Sequence, residues 1–483
     1  MNKLVERVKA EGIVTVLKAL ISTEKGRDYL LKKLDDLIFR QIVLNNPKGR
    51  PHKVQEDKYH MLMSIAVSAF RNIERGYFSR AVANKMIESL VKGALLHSGA
   101  DAERAFREQY GFYPPSFLTI SPGKACNLRC IGCYAASGAN LEKLRFDVFE
   151  RIVREAHDFW GSRFIVISGG EPTIYRDNGK TVFDLYEMHP DMYFLMYTNG
   201  TTIDKAMAKR MAELGNITPA ISVEGYEKET DERRGKGVFK KVLAAMDNLR
   251  EFGVPFGISV TVTRLNAPLL MKTEFYEYYF EELGATYAWL FHYMPIGRQI
   301  TLDLMPTPEQ RVALYWKWRE MVREKRYFVA DFWNSGVVSD GCIAAGRPGG
   351  YLYIDWNGYV MPCVFIPYYV SNINEIYANG GNLNDAIVTP FFEKIRRWQH
   401  EYGYKFHSTP GNWLMPCMIR DHHAEFRKIA DEVGVKPEDE NADAAFKDPN
   451  YYKGLVEYDN RLKELTEPIW KEVFLEVGKK AAA

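Results

Sequence analysis

Three cysteines, Cys126, Cys130 and Cys133, lie in the run Ala125-Cys-Asn-Leu-Arg-Cys-Ile-Gly-Cys-Tyr134, a C-x3-C-x2-C spacing. Three thiolates on one short loop can hold three corners of a cubane iron–sulfur cluster, and this loop supplies no fourth ligand. One iron is then left open, and an open iron is a place where chemistry can happen. A closed structural zinc site would need a fourth Cys or His nearby, and none lies between Pro114 and Ala156. Three unrelated buried thiols are the remaining alternative, and the spacing favours metal.

Residues suited to holding a ligand follow. Ser168-Gly-Gly-Glu-Pro172 offers two glycines that let backbone approach a ligand and a carboxylate that can accept from an ammonium group. Taken alone, a Gly-Gly pair is an ordinary turn, as is Thr198-Asn-Gly200. Ile221-Ser-Val-Glu-Gly225 is followed by Arg234, twelve residues past Ser222. An arginine fork suits a carboxylate better than a lysine does, although Arg234 also belongs to a charged run that could simply face solvent. The other three cysteines, Cys342, Cys363 and Cys417, include a C-x15-G-x4-C pattern around Gly358. His422 and His423 read more simply as a polar helix start than as ligands.

These motifs resemble those of the radical S-adenosylmethionine (SAM) superfamily. The resemblance implies that the open iron of a [4Fe-4S] cluster on Cys126, Cys130 and Cys133 is chelated by SAM, which is then cleaved to a 5′-deoxyadenosyl radical that takes hydrogen from the substrate. It also implies that Gly169, Gly170 and Glu171 bind the amino group, that Asn199 lies near the ribose, and that Ser222 and Arg234 hold the ribose and carboxylate. The residue before the third cysteine is usually aromatic in the family and helps seat the adenine; here it is Gly132, with Tyr134 as the substitute. Cys342, Cys363 and Cys417 resemble part of a SPASM or Twitch auxiliary domain, which implies a second [4Fe-4S] cluster. Its fourth ligand is left open among substrate, solvent, Asp421 and His422. Pro295-Ile-Gly-Arg298 is similar to family sequence without an assigned contact.

Such sites need elements to position them. A chain of 483 residues, 46% hydrophobic and 26% charged, is long enough for several buried cores. Residues 1–115 predict an all-helical domain, with Leu30, Leu31, Leu34, Leu37, Ile38 and Ile42 at three- and four-residue intervals, a break at Asn45–Gly49 and a stop at Pro114-Pro115. Strands are expected at Phe117–Ser121, Phe164–Ser168, Met192–Tyr197, Ala220–Val223, Gly257–Val262 and Tyr287–Tyr293, with helices between them. The expected fold is α/β, a partial (β/α)6 TIM-like barrel over 116–325. The helical domain precedes it, a small auxiliary-cluster domain follows at 326–430, and a helical tail occupies 431–483. Asn357-Gly358 predicts a hairpin between Tyr351–Trp356 and Tyr359–Met361, with positive φ at both turn residues.

The net charge of +2 does not suggest nucleic-acid binding. Residues 1–115 nevertheless carry 20 Lys and Arg against 13 Asp and Glu, an excess of +7. That excess would suit an anionic membrane surface or a lipid-like substrate, or the helices merely cap the barrel. Six cysteines in this pattern indicate metal ligands in a reducing, cytoplasmic setting rather than a secreted disulfide framework. The expectation is an enzyme supplied with electrons by a donor such as ferredoxin or flavodoxin, acting on a lipid-like or small molecule. A peptide-modifying maturase and a non-enzymatic iron–sulfur carrier or scaffold are the alternatives.

Overall fold

The computed structural model describes residues 13–95 and 98–476. Eight parallel strands form the centre: β1 Phe117–Ile120, β2 Phe164–Ile167, β3 Tyr193–Thr198, β4 Ile217–Val223, β5 Gly257–Val262, β6 Tyr287–His292, β7 Phe328–Asp331 and β8 Tyr351–Ile354. Their order is β8-β1-β2-β3-β4-β5-β6-β7, each neighbour parallel to the next. The six expected strands are all present, within a few residues of their expected ends. β7 and β8 extend the sheet at its two edges and are not paired with each other, so the barrel stays open between them. The sheet also runs across the boundary expected at residue 326.

The strands are short runs of β-branched and apolar residues whose outer faces are buried under helices and whose inner faces line the barrel interior. The first covering helix, Phe146–Trp160, shows how: Val148, Phe149, Ile152, Val153, Ala156 and Trp160 recur on one face and are buried. It ends at Gly161, whose φ of +67° forms a left-handed cap. β8 turns into the antiparallel β9, Tyr359–Met361. The hairpin forms, but only Gly358 has positive φ, at +82°, while Asn357 does not. The turn instead spans three residues: Gly358 N–H donates to Asp355 O at 3.0 Å, and Asp355 Oδ1 accepts from the amides of Asn357 and Tyr359.

Residues 24–95 and 98–110 are helical apart from short breaks. Helix His52–Glu74 packs on helix Pro308–Arg323, on β7 and on the short helix Gly336–Ser339. Buried Asp57 accepts from Arg319 Nε at 3.0 Å and Arg323 Nε at 2.6 Å. The expected break is present at Asn46 and Gly49, both with positive φ. Part of the basic excess expected to face a membrane turns inward: Arg71 and Arg75 pair with Glu281, and Arg50 and Lys58 with Asp340. Among the described residues no helix is long and apolar enough to cross a membrane. At the other end of the chain, helix Pro449–Ile469 buries Leu455 and Leu462 and packs against Pro308–Arg323.

Candidate active site

The cysteine loop leaves β1 at its C-terminal end, where barrels of this kind gather their chemistry. Its return leg is tied down by Lys124 N–H to Glu142 O at 3.0 Å, Cys126 N–H to Gly138 O at 2.8 Å and Leu144 N–H to Pro122 O at 2.8 Å. The loop after β2 lies flat on it, with Gly170 N–H donating to Gly123 O at 2.9 Å and Glu171 N–H to Ala125 O at 2.8 Å. Only glycine permits this approach, because a Cβ on Gly170 would stand 2.0 Å from Ala125 O. From the far side Arg298 N–H donates to Cys133 O at 3.0 Å and Arg298 Nη2 to Ser137 O. Pro295-Ile-Gly-Arg298 therefore clamps the cysteine loop, a role that its sequence did not disclose.

Cys126, Cys130 and Cys133 line one cavity of about 430 Å3 together with Tyr134, Gly169, Gly170, Asn199, Ser222 and Arg234. Two of these side chains reach sulfur: Asn199 Nδ2 lies 3.7 Å from Cys126 Sγ and Arg234 Nη1 lies 4.0 Å from Cys130 Sγ. Burial, reinforced by Glu171 and the other two thiols, pushes the Cys126 thiol up to about 11. Tyr134 Oη sits 2.6 Å from Ser168 Oγ and accepts from Gly169 N–H at 3.0 Å, pinning the cysteine loop to the glycine loop. Glu171 is 2% exposed and does not line the cavity. Its Oε1 accepts from the amide and hydroxyl of Thr173 and from Thr198 Oγ1, and Oε2 from Asn199 N–H.

Sequence reasoning missed three participants. Glu224, at the end of β4, is 1% exposed and gathers Arg233 at 2.6 Å and Arg234 at 2.5 Å onto Oε1. Arg233 also lines the cavity, so two cations face it against one carboxylate. Tyr293, just past β6, occupies the space beside Gly132: a Cβ on Gly132 would meet its ring at 2.6 Å, and Gly132 has φ +61°. Since Gly132 is itself a non-aromatic residue in an aromatic position, the neighbouring ring is the only signal, and it lies about 160 residues away in sequence.

The family model for the radical SAM superfamily matches residues 120–267. The chain is 27% identical over 294 residues to the AdoMet-dependent heme synthase of Methanosarcina barkeri, covering 54% of this chain and 80% of that one. It is 30% identical over 305 residues to the mycofactocin maturase MftC of Mycolicibacterium smegmatis, covering 60% of this chain and 74% of that one. The chain belongs to the radical SAM superfamily. A solved structure of native anSMEcpe with bound AdoMet and Cp18Cys peptide aligns at TM-score 0.49 and 20% identity, over 74% of this chain and 100% of that one. Radical SAM enzymes use a [4Fe-4S] cluster and SAM, and SPASM-type relatives carry auxiliary clusters.

The residues present fit both groups. Cys126, Cys130 and Cys133 line one cavity, and a C-x3-C-x2-C set with an open fourth position suits a cubane cluster. Cys342, Cys363 and Cys417 are drawn from separate segments to one place: burial lifts the Cys417 thiol well above its ordinary value, and Asp421, Cys342 and Cys363 lift it further. Burial likewise raises Cys363 to about 12, while Tyr351 Oη lies 2.9 Å from its sulfur. Buried charges of both signs pack around this trio, Arg311 pairing with Asp421 and Arg347 lying near Asp340. Arg347 donates to Cys342 O at 2.5 Å, and Arg420 is 0% exposed with Nε and Nη1 unpartnered. Two expected fourth ligands are already engaged. Asp421 forms a fork with Arg311, Oδ2 to Nη2 at 2.9 Å, and accepts from Cys417 N–H at 3.0 Å. His422 Nε2 lies 2.9 Å from Met415 O.

Proposed function

We propose that this radical SAM enzyme holds its SAM-binding cluster on Cys126, Cys130 and Cys133 and an auxiliary cluster on Cys342, Cys363 and Cys417, and acts on an apolar small or lipid-like molecule. When bound, the first cluster supplies the electron that cleaves SAM so that hydrogen can be taken from the substrate. The chain's own residues position and enclose. Arg234 and Arg233 offer positive charge to the methionine carboxylate, Ser222 and Asn199 offer polar contacts to the ribose, the Gly169-Gly170 backbone receives the amino group with Glu171 holding Thr198 and Asn199 behind it, and Tyr134 and Tyr293 present rings for the adenine.

The observation that carries the substrate reading is the cavity wall. Barrel interiors of this type are normally filled by side chains, but here Phe117, Phe164, Tyr197, Trp289, Phe291 and Phe365 line the same cavity as the three thiols. An apolar substrate would cover rings that water otherwise meets, worth roughly 25 cal/mol per Å2. The relation to a heme synthase supports a small-molecule substrate, while the relation to a maturase favours the second reading, modification of a peptide. Six free cysteines suit a reducing, cytoplasmic setting with a ferredoxin- or flavodoxin-like donor.

Anaerobic reconstitution should give about eight irons per chain from two cubanes, and dithionite with SAM should give 5′-deoxyadenosine by mass spectrometry. Replacing Cys342, Cys363 and Cys417 by Ala should remove half the iron and keep some SAM cleavage. Wild type that saturates near four irons would remove the auxiliary cluster from this reading. Incubation with cell lipid and peptide extracts then separates the substrate classes, and consumption of a peptide alone would overturn the apolar-molecule reading.

A further inference from the structure

Two residues before Cys342, Asp340 anchors a charge cluster whose cations Lys48, Arg50 and Lys58 come from the N-terminal region. Helix Gly336–Ser339 ends at Asp340, which has φ +58° and lies two residues before Cys342. Lys48 Nζ at 3.5 Å, Arg50 Nε at 3.5 Å and Lys58 Nζ all converge on its carboxylate. The Arg50 side chain is 0% exposed, Asp340 6% and Lys58 14%. Arg50 also donates to Lys405 O at 2.7 Å and Tyr404 O at 2.6 Å. Arg347, 4% exposed, directs Nε to Cys342 O, Nη1 to Pro348 O and Nη2 to Ser339 O, and its nearest carboxylate is the same Asp340, which attracts it without a direct contact. Three buried cations, Arg50, Lys58 and Arg347, therefore share one carboxylate at the loop that carries Cys342, with the half-exposed Lys48 at its rim. Buried charge is costly unless it is balanced, and this imbalance persists through contacts between segments about 280 residues apart.

Resting on the auxiliary-cluster reading above, we propose that Lys58, with Arg50 and Asp340, sets the reduction potential of the cluster held by Cys342, Cys363 and Cys417. Uptake of one electron makes that cluster more negative. A nearby cation favours this step and a nearby carboxylate opposes it, with little screening at a buried position. The N-terminal helices thus act as an electrostatic component of the redox centre, holding it poised to accept an electron.

The test is an anaerobic potentiometric titration of the reconstituted full-length enzyme with dithionite as reductant, following the auxiliary signal by electron paramagnetic resonance. Lys58→Met should move the midpoint to more negative potential and Asp340→Asn to more positive potential. Each should change the reduced-to-oxidised ratio at fixed potential by about tenfold, equivalent to 59 mV for a one-electron couple. Lys58→Arg, which retains the charge, should restore the wild-type midpoint. Asn is tolerated at the left-handed backbone of position 340, and a loosened fold would not shift the two variants in opposite directions. A wild type with a single cluster overturns the reading on which the proposal stands. Two clusters with an auxiliary midpoint that is unmoved, or moved the same way in both variants, overturn the proposal itself.

Discussion

Arg234 and Glu224 show how much of this site depends on single pairings. With Nε and Nη2 on Glu224, Arg234 is held so that Nη1 faces Cys130. Arg234→Ala should leave both clusters loaded and weaken SAM binding by tenfold or more, since losing one partner of a desolvated charge pair costs several kcal/mol; equilibrium dialysis alongside an iron assay reads both quantities. Unchanged SAM affinity would remove Arg234 from the site. Tyr134 invites a subtler change. Its hydroxyl is raised by burial to about 12 and stays protonated, serving Ser168 and Gly169 at once. Tyr134→Phe should cost about 1–3 kcal/mol of unfolding free energy by leaving the Gly169 amide unpartnered, measured by anaerobic urea denaturation.

Among the elements, the cysteine loop is held from two sides by backbone contacts that tolerate no side chain. A Cβ at Gly170 would stand 2.0 Å from Ala125 O, and one at Gly297 would stand 2.0 Å from Tyr134 O. Neither neighbour can yield without moving the loop, because both are backbone atoms. Gly170→Ala and Gly297→Ala should each halve the iron content, with the barrel cluster lost and the auxiliary signal kept in electron paramagnetic resonance. Full iron loading in both variants would show that the loop can be displaced without losing its ligand geometry. Gly297 adds strain of its own, since its φ of +66° disfavours any L side chain.

At the scale of the whole molecule, the N-terminal helices are joined to the barrel by buried polar contacts as well as apolar ones. Asn72 Nδ2 donates to Gly284 O at 2.8 Å and Thr286 Oγ1 at 3.0 Å, and Asp57 holds Arg319 and Arg323. Removing Asp57 leaves the partly buried Arg319 without its carboxylate and Arg323 with only Glu56, at 3.3 Å. Asp57→Ala should therefore cost roughly 3 kcal/mol and expose the linker near residues 110–116 to limited proteolysis before the barrel unfolds. Proteolysis rates equal to wild type would mean that the apolar contacts alone hold the layer in place.

The loop Cys126–Cys133, the glycines at 169 and 170, and the alternation of strands and helices were legible because each depends on local spacing: ligand geometry, backbone access and hydrophobic period act over a few residues. The parallel strands β1 to β6 were legible for the same reason. Other features were not, because they depend on how separate elements meet in the fold. β7 and β8 are short apolar runs whose partners, β6 and β1, are chosen only when the sheet closes around its core. Glu224 looks like any acidic residue until Arg233 and Arg234 fold onto it. Tyr293 gives meaning to Gly132 only across the barrel mouth. Residue types and spacing determined which chemistry this chain could support; tertiary packing decided which charges face the thiols, because buried electrostatics depends on who is brought together and not on who is near in sequence.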